Sequence, residues 1–173
     1  MQEFSTFVTH LECSYTGKLY PADQLHGLSE AGKPLLVRYD LEGIAKAVSK
    51  SDLQQRRPEF WRYRELLPIR KSENVVRLGE LMTPILPATK LQQELGCGEI
   101  LIKDEGRLPT GSFKARGLAL AVAMAKELGV TRMAMPTNGN AGAALAAYCS
   151  RAGIETFVFC PEDTPKVNIE EIA

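Results

Sequence analysis

Strands and helices alternate in the C-terminal part of this sequence of 173 residues, and this alternation constrains the fold most strongly. Short apolar runs predict strands, and Ala-rich segments that end at glycine predict helices. The predicted order is strand 100–103, helix 113–128, strand 133–135, helix 141–152 and strand 156–160. This pattern indicates βαβ units with a parallel sheet. Right-handed crossovers then place both strand-to-helix loops at one sheet edge, where open α/β sheets bind ligands.

Shorter elements are predicted before residue 100. They are a strand at 34–37, a helix capped by Asp40, a short helix at 59–67, an extended Pro-rich segment at 83–87 and a helix at 91–95. Their boundaries follow from helix caps and from proline, which disfavours the helical conformation in the residue before it. The sequence ends inside a helix predicted after Thr164 and Pro165. Because three parallel strands cannot close a core covered on both faces, we expect a fragment of a larger protein.

Charge and composition exclude several classes of partner. Lys and Arg number 21 and so do Asp and Glu, so no net field favours nucleic acid or an anionic membrane surface. No apolar run reaches membrane-spanning length. The start at Met1–Phe4 lacks the features of a signal peptide, and four scattered cysteines predict reduced thiols rather than disulfides. We therefore expect a cytoplasmic protein.

One lysine, Lys114, lies where a predicted loop becomes a predicted helix, within Gly111–Gly117. Keeping a lysine amine neutral at pH 7 costs about 4–5 kcal/mol. A helix N-terminus offsets only about 0.3–1 kcal/mol of that cost, so burial would have to be the main cause of a nucleophilic amine. We expect Phe113, Ala115 and Gly117 to shield it. The same residues also fit a surface lysine in the first turn of a helix.

A second loop, Pro136–Gly142, repeats the strand-to-helix arrangement one βα unit later. Gly139 and Gly142 would let the backbone approach a ligand closely. Unpaired N–H groups at the start of the following helix favour a carboxylate or a phosphate, and the amides of Asn138 and Asn140 can donate hydrogen bonds. A tight βα turn with no ligand explains the same residues.

These loops belong to a longer pattern. Its stretches are Trp61–Tyr63, Leu66–Pro68, Leu81–Ile85, Lys103–Glu105, Pro109–Gly117 and Thr137–Gly142. Together they resemble pyridoxal-phosphate enzymes of the tryptophan-synthase-β fold type, and within that group they are most similar to threonine synthases. The resemblance covers nearly the whole chain. Its two loop motifs stand in the family's order, one βα unit apart.

The N-terminal residues 13–21 and 28–40 resemble the zinc-ribbon-like start of threonine synthases. Four-cysteine versions of that ribbon would carry thiols at the positions that here are Cys13, Thr16, Leu28 and Ala31. One thiolate cannot make a tetrahedral zinc site, so we expect no metal. Such a ribbon is more typical of threonine synthase-like proteins than of threonine dehydratases.

The resemblance implies a role for each matching residue. Lys114 would carry pyridoxal 5'-phosphate as a Schiff base, beside Phe113, and would later move a proton between substrate carbons. Asn140 would hydrogen-bond the ring hydroxyl of the cofactor. Thr110 and Ser112 would contact the substrate phosphate. The substrate carboxylate would lie against Thr137, Asn138, Gly139, Asn140 and Ala141.

The implied reaction converts O-phosphohomoserine and water to threonine and phosphate. The implied fold is α/β, with open parallel sheets flanked by helices in the two-domain arrangement of fold type II. This chain would be its truncated N-terminal portion, with a ribbon at 1–40, part of the large domain at 41–112 and the start of the smaller domain at 113–173. We expect this portion to be inactive alone, because the resemblance places the cofactor-phosphate loop beyond residue 173.

Two other hypotheses about the function stay open at this point. One is a related enzyme of the same fold: cysteate synthase, threonine dehydratase or a diaminopropionate lyase. The other is a non-catalytic paralogue that keeps the fold. The expected partner is a small phosphorylated amino acid. We expect binding neither to nucleic acid nor to a membrane. The sequence leaves open whether the full-length protein forms a homodimer.

Overall fold

Seven strands and six helices make up residues 6–173, the part of the chain that the structure, a computed structural model, describes. The prediction that no signal peptide is present concerns residues 1–4, which lie outside the described residues. The strands are β1 (Val8–Cys13), β2 (Leu19–Tyr20), β3 (Leu35–Tyr39), β4 (Ile85–Pro87), β5 (Leu101–Lys103), β6 (Arg132–Pro136) and β7 (Glu155–Phe159). The helices are α1 (Leu41–Ala47), α2 (Lys50–Gln55), α3 (Thr89–Leu95), α4 (Lys114–Glu127), α5 (Asn140–Ala152) and α6 (Lys166–Ile172).

The N-terminal sheet has the antiparallel order β2-β1-β3. It is joined to two tight turns that face each other, and a hydrogen bond of 3.1 Å links the buried Cys13 thiol to the Ser29 hydroxyl. The Thr16 N–H also donates to the Cys13 sulfur, at 3.4 Å. Leu28 is exposed, and the residue that lies opposite Cys13 is Ser29. Ser29 occupies the inward position because its hydroxyl satisfies polar groups of both turns.

Local capping fixes the shorter helices. The Asp40 carboxylate accepts the N–H of Gly43 at 2.8 Å, as expected for the start of α1. Ser49 and Asp52 form a capping box that starts α2, a helix that the apolar pattern alone does not predict. The predicted helix at 59–67 is instead a 3-10 segment, Phe60–Leu66, with a non-helical residue inside it.

Strand pairing differs from the sequence-based prediction. Strand β5 pairs with β4 in antiparallel orientation, and β6 pairs with β7 in parallel orientation. The expected sheet that joins 100–103 to the two later strands is therefore wrong, although the α/β class is confirmed. A run such as Ile100–Lys103 predicts a strand but carries no information about its partner, because pairing is decided by distant residues.

The core lies where α4 packs against α5. Helix α4 supplies Ala115, Ala119, Val122 and Ala123, and helix α5 supplies Leu145, Tyr148 and Cys149. Trp61, Ile69 and Val76 from the preceding chain complete the same cluster. Small alanine side chains let the two helix axes approach closely, so the start of α4 is held against α5. The domain boundaries proposed at 40 and 112 stay predictions.

The structure bears on the predicted state of the cysteines and on the predicted absence of membrane-spanning segments. All four cysteines are free, and Cys149 is buried as expected for a core residue. Across residues 6–173, no helix combines the length and apolar character needed to cross a membrane. The cytoplasmic location stays a prediction.

Candidate active site

The lysine loop, defined as residues 104–113, connects β5 to α4 through two 3-10 turns, Glu105–Arg107 and Pro109–Gly111. Thr110 has φ of 64°, the one non-glycine residue with positive φ among the described residues, and Gly111 has the same value. The left-handed conformation costs a residue with a Cβ about 1–2 kcal/mol. Such strain is characteristic of ligand-binding loops, because surrounding structure must compensate for it.

Lys114 is the first residue of α4, and its side chain is exposed. The expectation of a shielded amine is therefore wrong for residues 6–173. The core-facing side of α4 begins at Ala115, which places Lys114 on the outer side of the first turn, and the Phe113 ring is itself 62% exposed. The Lys114 ammonium lies 4.8 Å from the centre of that ring. The amine is consequently open to a small molecule in solution.

Two hydroxyl groups beside Lys114 lack partners. The Oγ1 atom of Thr110 and the Oγ atom of Ser112 are buried, and neither forms a hydrogen bond within residues 6–173. A buried hydroxyl without a partner costs about 1–3 kcal/mol, so such atoms are rare unless water or a ligand satisfies them. The two residues assigned from the resemblance to phosphate binding are thus among the described residues with unused hydrogen-bonding capacity.

The asparagine loop, residues 137–139, precedes α5. Its shape is fixed by the Gly139 N–H, which donates to the Thr137 hydroxyl at 3.3 Å, and by the Asn168 side-chain amide, which donates to the Asn138 carbonyl at 3.0 Å. No side chain caps α5, whose first residue is Asn140. The amide side chains of Asn138 and Asn140 are exposed and form no hydrogen bond in the described part of the chain. The loop therefore presents free donors.

Gly142 has a packing role that the sequence analysis does not predict. A Cβ at this position would lie 2.5 Å from Cγ2 of Thr137, 2.9 Å from Cδ1 of Ile172 and 3.0 Å from Cγ1 of Val158. Gly142 is therefore needed for close packing of α5 on its neighbours, and the close approach of a ligand stays a prediction. Gly139 has space limited only by the flexible Asn168 amide, at 3.3 Å.

The structure brings the two loops to the same pair of helices. The turn Pro109–Gly111 contacts both α4 and α5, so the lysine loop lies against the helix that begins at Asn140. Within residues 6–173, no hydrogen bond joins Lys114 to the asparagine loop. The arrangement comes from helix packing rather than from a shared parallel sheet.

Residue analysis of the motif missed an ion pair that closes the lysine loop. The guanidinium of Arg116 donates to Glu105 twice, from Nε at 2.6 Å and from Nη2 at 2.9 Å, and the Thr83 hydroxyl donates to the same carboxylate. Arg116 above all, then Thr83, holds the pKa of Glu105 at about 2, against desolvation that raises it. Both residues stood in the quoted motifs, at a spacing too long for a helical pair, so only the folded loop shows the contact.

A second polar pair is buried behind the first. The Tyr148 hydroxyl on α5 donates to Oε1 of Glu80, which also accepts the Leu78 N–H at 2.7 Å. Both side chains are almost fully buried, and burial raises the pKa of Tyr148 far above its usual range. This pair ties the middle of α5 to the chain segment that leads to Thr83.

Comparison with known proteins agrees with the predicted resemblance. A family model described as "Pyridoxal-phosphate dependent enzyme" matches residues 76–173. The chain belongs to this family. Its cofactor, pyridoxal phosphate, is the one predicted from the sequence.

Curated relatives narrow the resemblance. The threonine synthase of Methanocaldococcus jannaschii is 41% identical over 150 residues, which are 87% of this chain and 37% of that protein. The threonine synthase of Methanosarcina acetivorans is 35% identical over 153 residues, with coverage of 88% and 37%. The predicted similarity to threonine synthases is confirmed. The chain spans about 37% of the length of these relatives.

Solved structures show the same fold. Diaminopropionate ammonia lyase from Escherichia coli, in complex with an aminoacrylate-PLP azomethine reaction intermediate, aligns with a TM-score of 0.50 at 24% identity, over 56% of this chain and 28% of that one. The selenomethionine-containing holo form of this lyase aligns with a TM-score of 0.52 at 21% identity, over 58% and 31%. The predicted fold class is thereby confirmed.

The residues of the site fit the family's cofactor. Pyridoxal phosphate offers an aldehyde carbon, a ring hydroxyl and a phosphate. The chain offers an open primary amine at Lys114, exposed amides at Asn138 and Asn140, and two buried hydroxyls without partners at Thr110 and Ser112. The aldehyde and the ring hydroxyl of the cofactor therefore each have a chemically matching side chain among these residues.

Proposed function

We propose that the full-length protein is a threonine synthase, which converts O-phosphohomoserine and water to threonine and phosphate. The observation that carries the proposal is the 41% identity to a threonine synthase over a stretch that includes both loops. The unused hydroxyls of Thr110 and Ser112 beside an open amine support it, because a phosphorylated substrate needs donors for its oxygen atoms.

In this proposal Lys114 holds the cofactor through its Nζ atom, with Phe113 beside it. The same amine would take a proton from one substrate carbon and return it to another. When bound, the cofactor supplies an electron sink for the negative charge that develops on the substrate, while the protein supplies position and electrostatics. Asn140 donates a hydrogen bond to the ring hydroxyl of the cofactor.

The substrate is proposed to lie between the two loops. Its carboxylate accepts hydrogen bonds from the uncapped start of α5, where unpaired backbone N–H groups and the helix dipole favour an anion. The contacts come from Thr137, Asn138, Gly139, Asn140 and Ala141. Its phosphate accepts hydrogen bonds from the hydroxyls of Thr110 and Ser112, which then gain the partners that they lack within residues 6–173.

The test is borohydride reduction of the full-length protein with added pyridoxal phosphate, followed by peptide mapping. We expect a pyridoxyl adduct on Lys114 and none on Lys90, which is a matched control because it is also an exposed lysine in the first turn of a helix. The variant Lys114→Ala should lose the adduct and threonine formation. Unchanged threonine formation by that variant would contradict the assignment of Lys114.

Substrate choice is tested with the same preparation. O-phosphohomoserine, threonine, phosphoserine and 2,3-diaminopropionate are supplied separately, and phosphate, ammonia and threonine are measured. We expect turnover of O-phosphohomoserine only. Release of phosphate from phosphoserine supplied with sulfite would instead indicate a cysteate synthase. Turnover of threonine would indicate a dehydratase, turnover of 2,3-diaminopropionate a diaminopropionate lyase, and no adduct on Lys114 a non-catalytic paralogue.

We also propose that residues 1–173 do not catalyse the reaction alone. The amine of Lys114 is open to solvent in this part of the chain, whereas electrostatic catalysis requires that water be excluded. Purified residues 1–173 should give no threonine above background, while the full-length protein does. Threonine formation by the purified portion would refute this.

A further inference from the structure

An ion pair between the side chains of Glu105 and Arg116 closes the lysine loop. Glu105 lies near its beginning, and Arg116 lies just after its end, two residues beyond Lys114. Their side chains meet in two parallel hydrogen bonds, of 2.6 Å and 2.9 Å. Both side chains are about three-quarters buried, so solvent screens the contact much less than it screens a surface pair.

The ion pair between Glu105 and Arg116 is connected by hydrogen bonds to the chain segment around Thr83. The Thr83 hydroxyl donates to Glu105, and the Lys103 ammonium donates to the Thr83 carbonyl at 3.1 Å. Thr83 itself is buried and lies two residues before β4, which pairs with β5. The beginning of the loop, the first turn of α4 and the β4–β5 pair are thus held at one point, the Glu105 carboxylate.

Besides the packing of α4 against α5, few contacts fix the start of α4 within residues 6–173. No side chain caps the helix there, and the Lys114 ammonium lies 4.8 Å from the centre of the neighbouring Phe113 ring. The loop also contains one residue with a Cβ in the left-handed conformation, Thr110, which the surrounding structure has to maintain. The bidentate contact of Arg116 supplies that constraint, because a planar guanidinium fixes direction as well as distance.

We propose that Glu105 is a positioning residue for Lys114, acting through Arg116, so that the first turn of α4, which carries the amine, keeps a fixed position against the loop that holds Thr110 and Ser112. The proposal rests on the proposed function, because it assigns the task of orienting an amine that works on cofactor and substrate. Misplacement of a reacting group by about 1 Å can lower a rate by about a hundredfold. Loss of the ion pair between Glu105 and Arg116 therefore affects the rate of the reaction more than the affinity for substrate.

The experiment compares three variants of the full-length protein. Glu105→Gln keeps the shape but removes the charge, and Arg116→Lys keeps the charge but removes the fork. Glu155→Gln is the control, because the Arg132–Glu155 pair has the same N–O distance of 2.6 Å but is exposed. Amide hydrogen exchange of residues 104–113 is measured in cofactor-free protein, and kcat and KM are measured with cofactor.

We expect Glu105→Gln and Arg116→Lys to speed amide exchange in the loop at least about tenfold and to lower kcat about tenfold to a hundredfold, with KM changed less than about twofold. Glu155→Gln should match the wild type. Unchanged loop exchange in both variants would overturn the proposal whether or not the protein makes threonine. A fall in kcat that disappears at a temperature where wild type and variant are equally folded would also overturn it.

Discussion

The two strand-to-helix loops look alike in sequence but are built differently. The asparagine loop connects parallel strands through α5, and its backbone, from Thr137 to Gly139, has no residue in the left-handed region. The lysine loop follows a strand of an antiparallel hairpin and contains two consecutive left-handed residues. One loop is a regular βα connection, and the other is an irregular segment that a side-chain ion pair holds closed.

The difference shows which forces prepare each loop for a ligand. Packing prepares the asparagine loop, because Gly142 lets α5 lie directly on Thr137 and Val158. Electrostatics holds the lysine loop closed, because Glu105 and Arg116 form a largely buried ion pair across it. Changes in packing should therefore damage the first loop, and changes in pH should damage the second.

The largest effect is expected from Gly142→Ala. The added methyl group would lie 2.5 Å from Thr137 Cγ2, so the variant should lose about 2–3 kcal/mol of the free energy of unfolding. Urea denaturation measures the loss. The control is Gly117→Ala on α4, where a Cβ meets nothing within 4 Å, and which should gain about 0.5–1 kcal/mol. Equal stabilities of the two variants would remove the packing half of the comparison.

A second prediction concerns acid. The pKa of Glu105 is about 2 in the fold, against an ordinary value of 4.5. A lowered pKa stabilises the fold fully above the ordinary value, and this contribution is lost as pH falls toward the folded value. Wild type should therefore be more stable than Glu105→Gln by about 1–3 kcal/mol near pH 6, and by less than half of that near pH 3.

Urea denaturation at these two pH values measures the effect. Glu155→Gln, which removes an exposed carboxylate, should track the wild type within about 0.5 kcal/mol at both. A stability difference between wild type and Glu105→Gln that does not shrink in acid would show that the ion pair is not what holds the lysine loop.

The smallest effect separates backbone strain in the two loops. Thr110→Gly removes a left-handed residue with a Cβ and should raise the free energy of unfolding by about 1 kcal/mol. Gly139→Ala should change it by less than about 0.5 kcal/mol, because its φ of 179° suits any residue and the Asn168 amide can move. Thermal denaturation reports both. A destabilised Thr110→Gly protein would mean that its side chain matters more than the strain.

Local signals predicted helices α4 and α5 and strands β6 and β7 to within two residues. Periodicity and terminal glycines suffice there, because the helix that ends at Gly153 and its neighbours are defined by adjacent residues. The capping box at Ser49 and Asp52 was a readable signal for α2, although the apolar spacing hid it. Local chemistry therefore accounts for the elements.

Long-range arrangement was not predictable in the same way. Nothing in Ile100–Lys103 indicates that its partner is Ile85–Pro87, and the residues around Lys114 fit both a shielded amine and the surface lysine that the structure shows. The contacts of Glu105 with Arg116 and Thr83 join residues brought together only by folding. Motif resemblance found the residues of the candidate site, but their roles stay proposals.

The hydrogen bond from Asn168 to the Asn138 carbonyl gives α6 a practical use. It couples the position of the last described helix to the shape of the asparagine loop, across 30 residues of sequence. A fluorescent dye on the exposed side chain of Lys166 would therefore report when a carboxylate arrives at the loop. Such a sensor would read ligand binding in solution without any turnover.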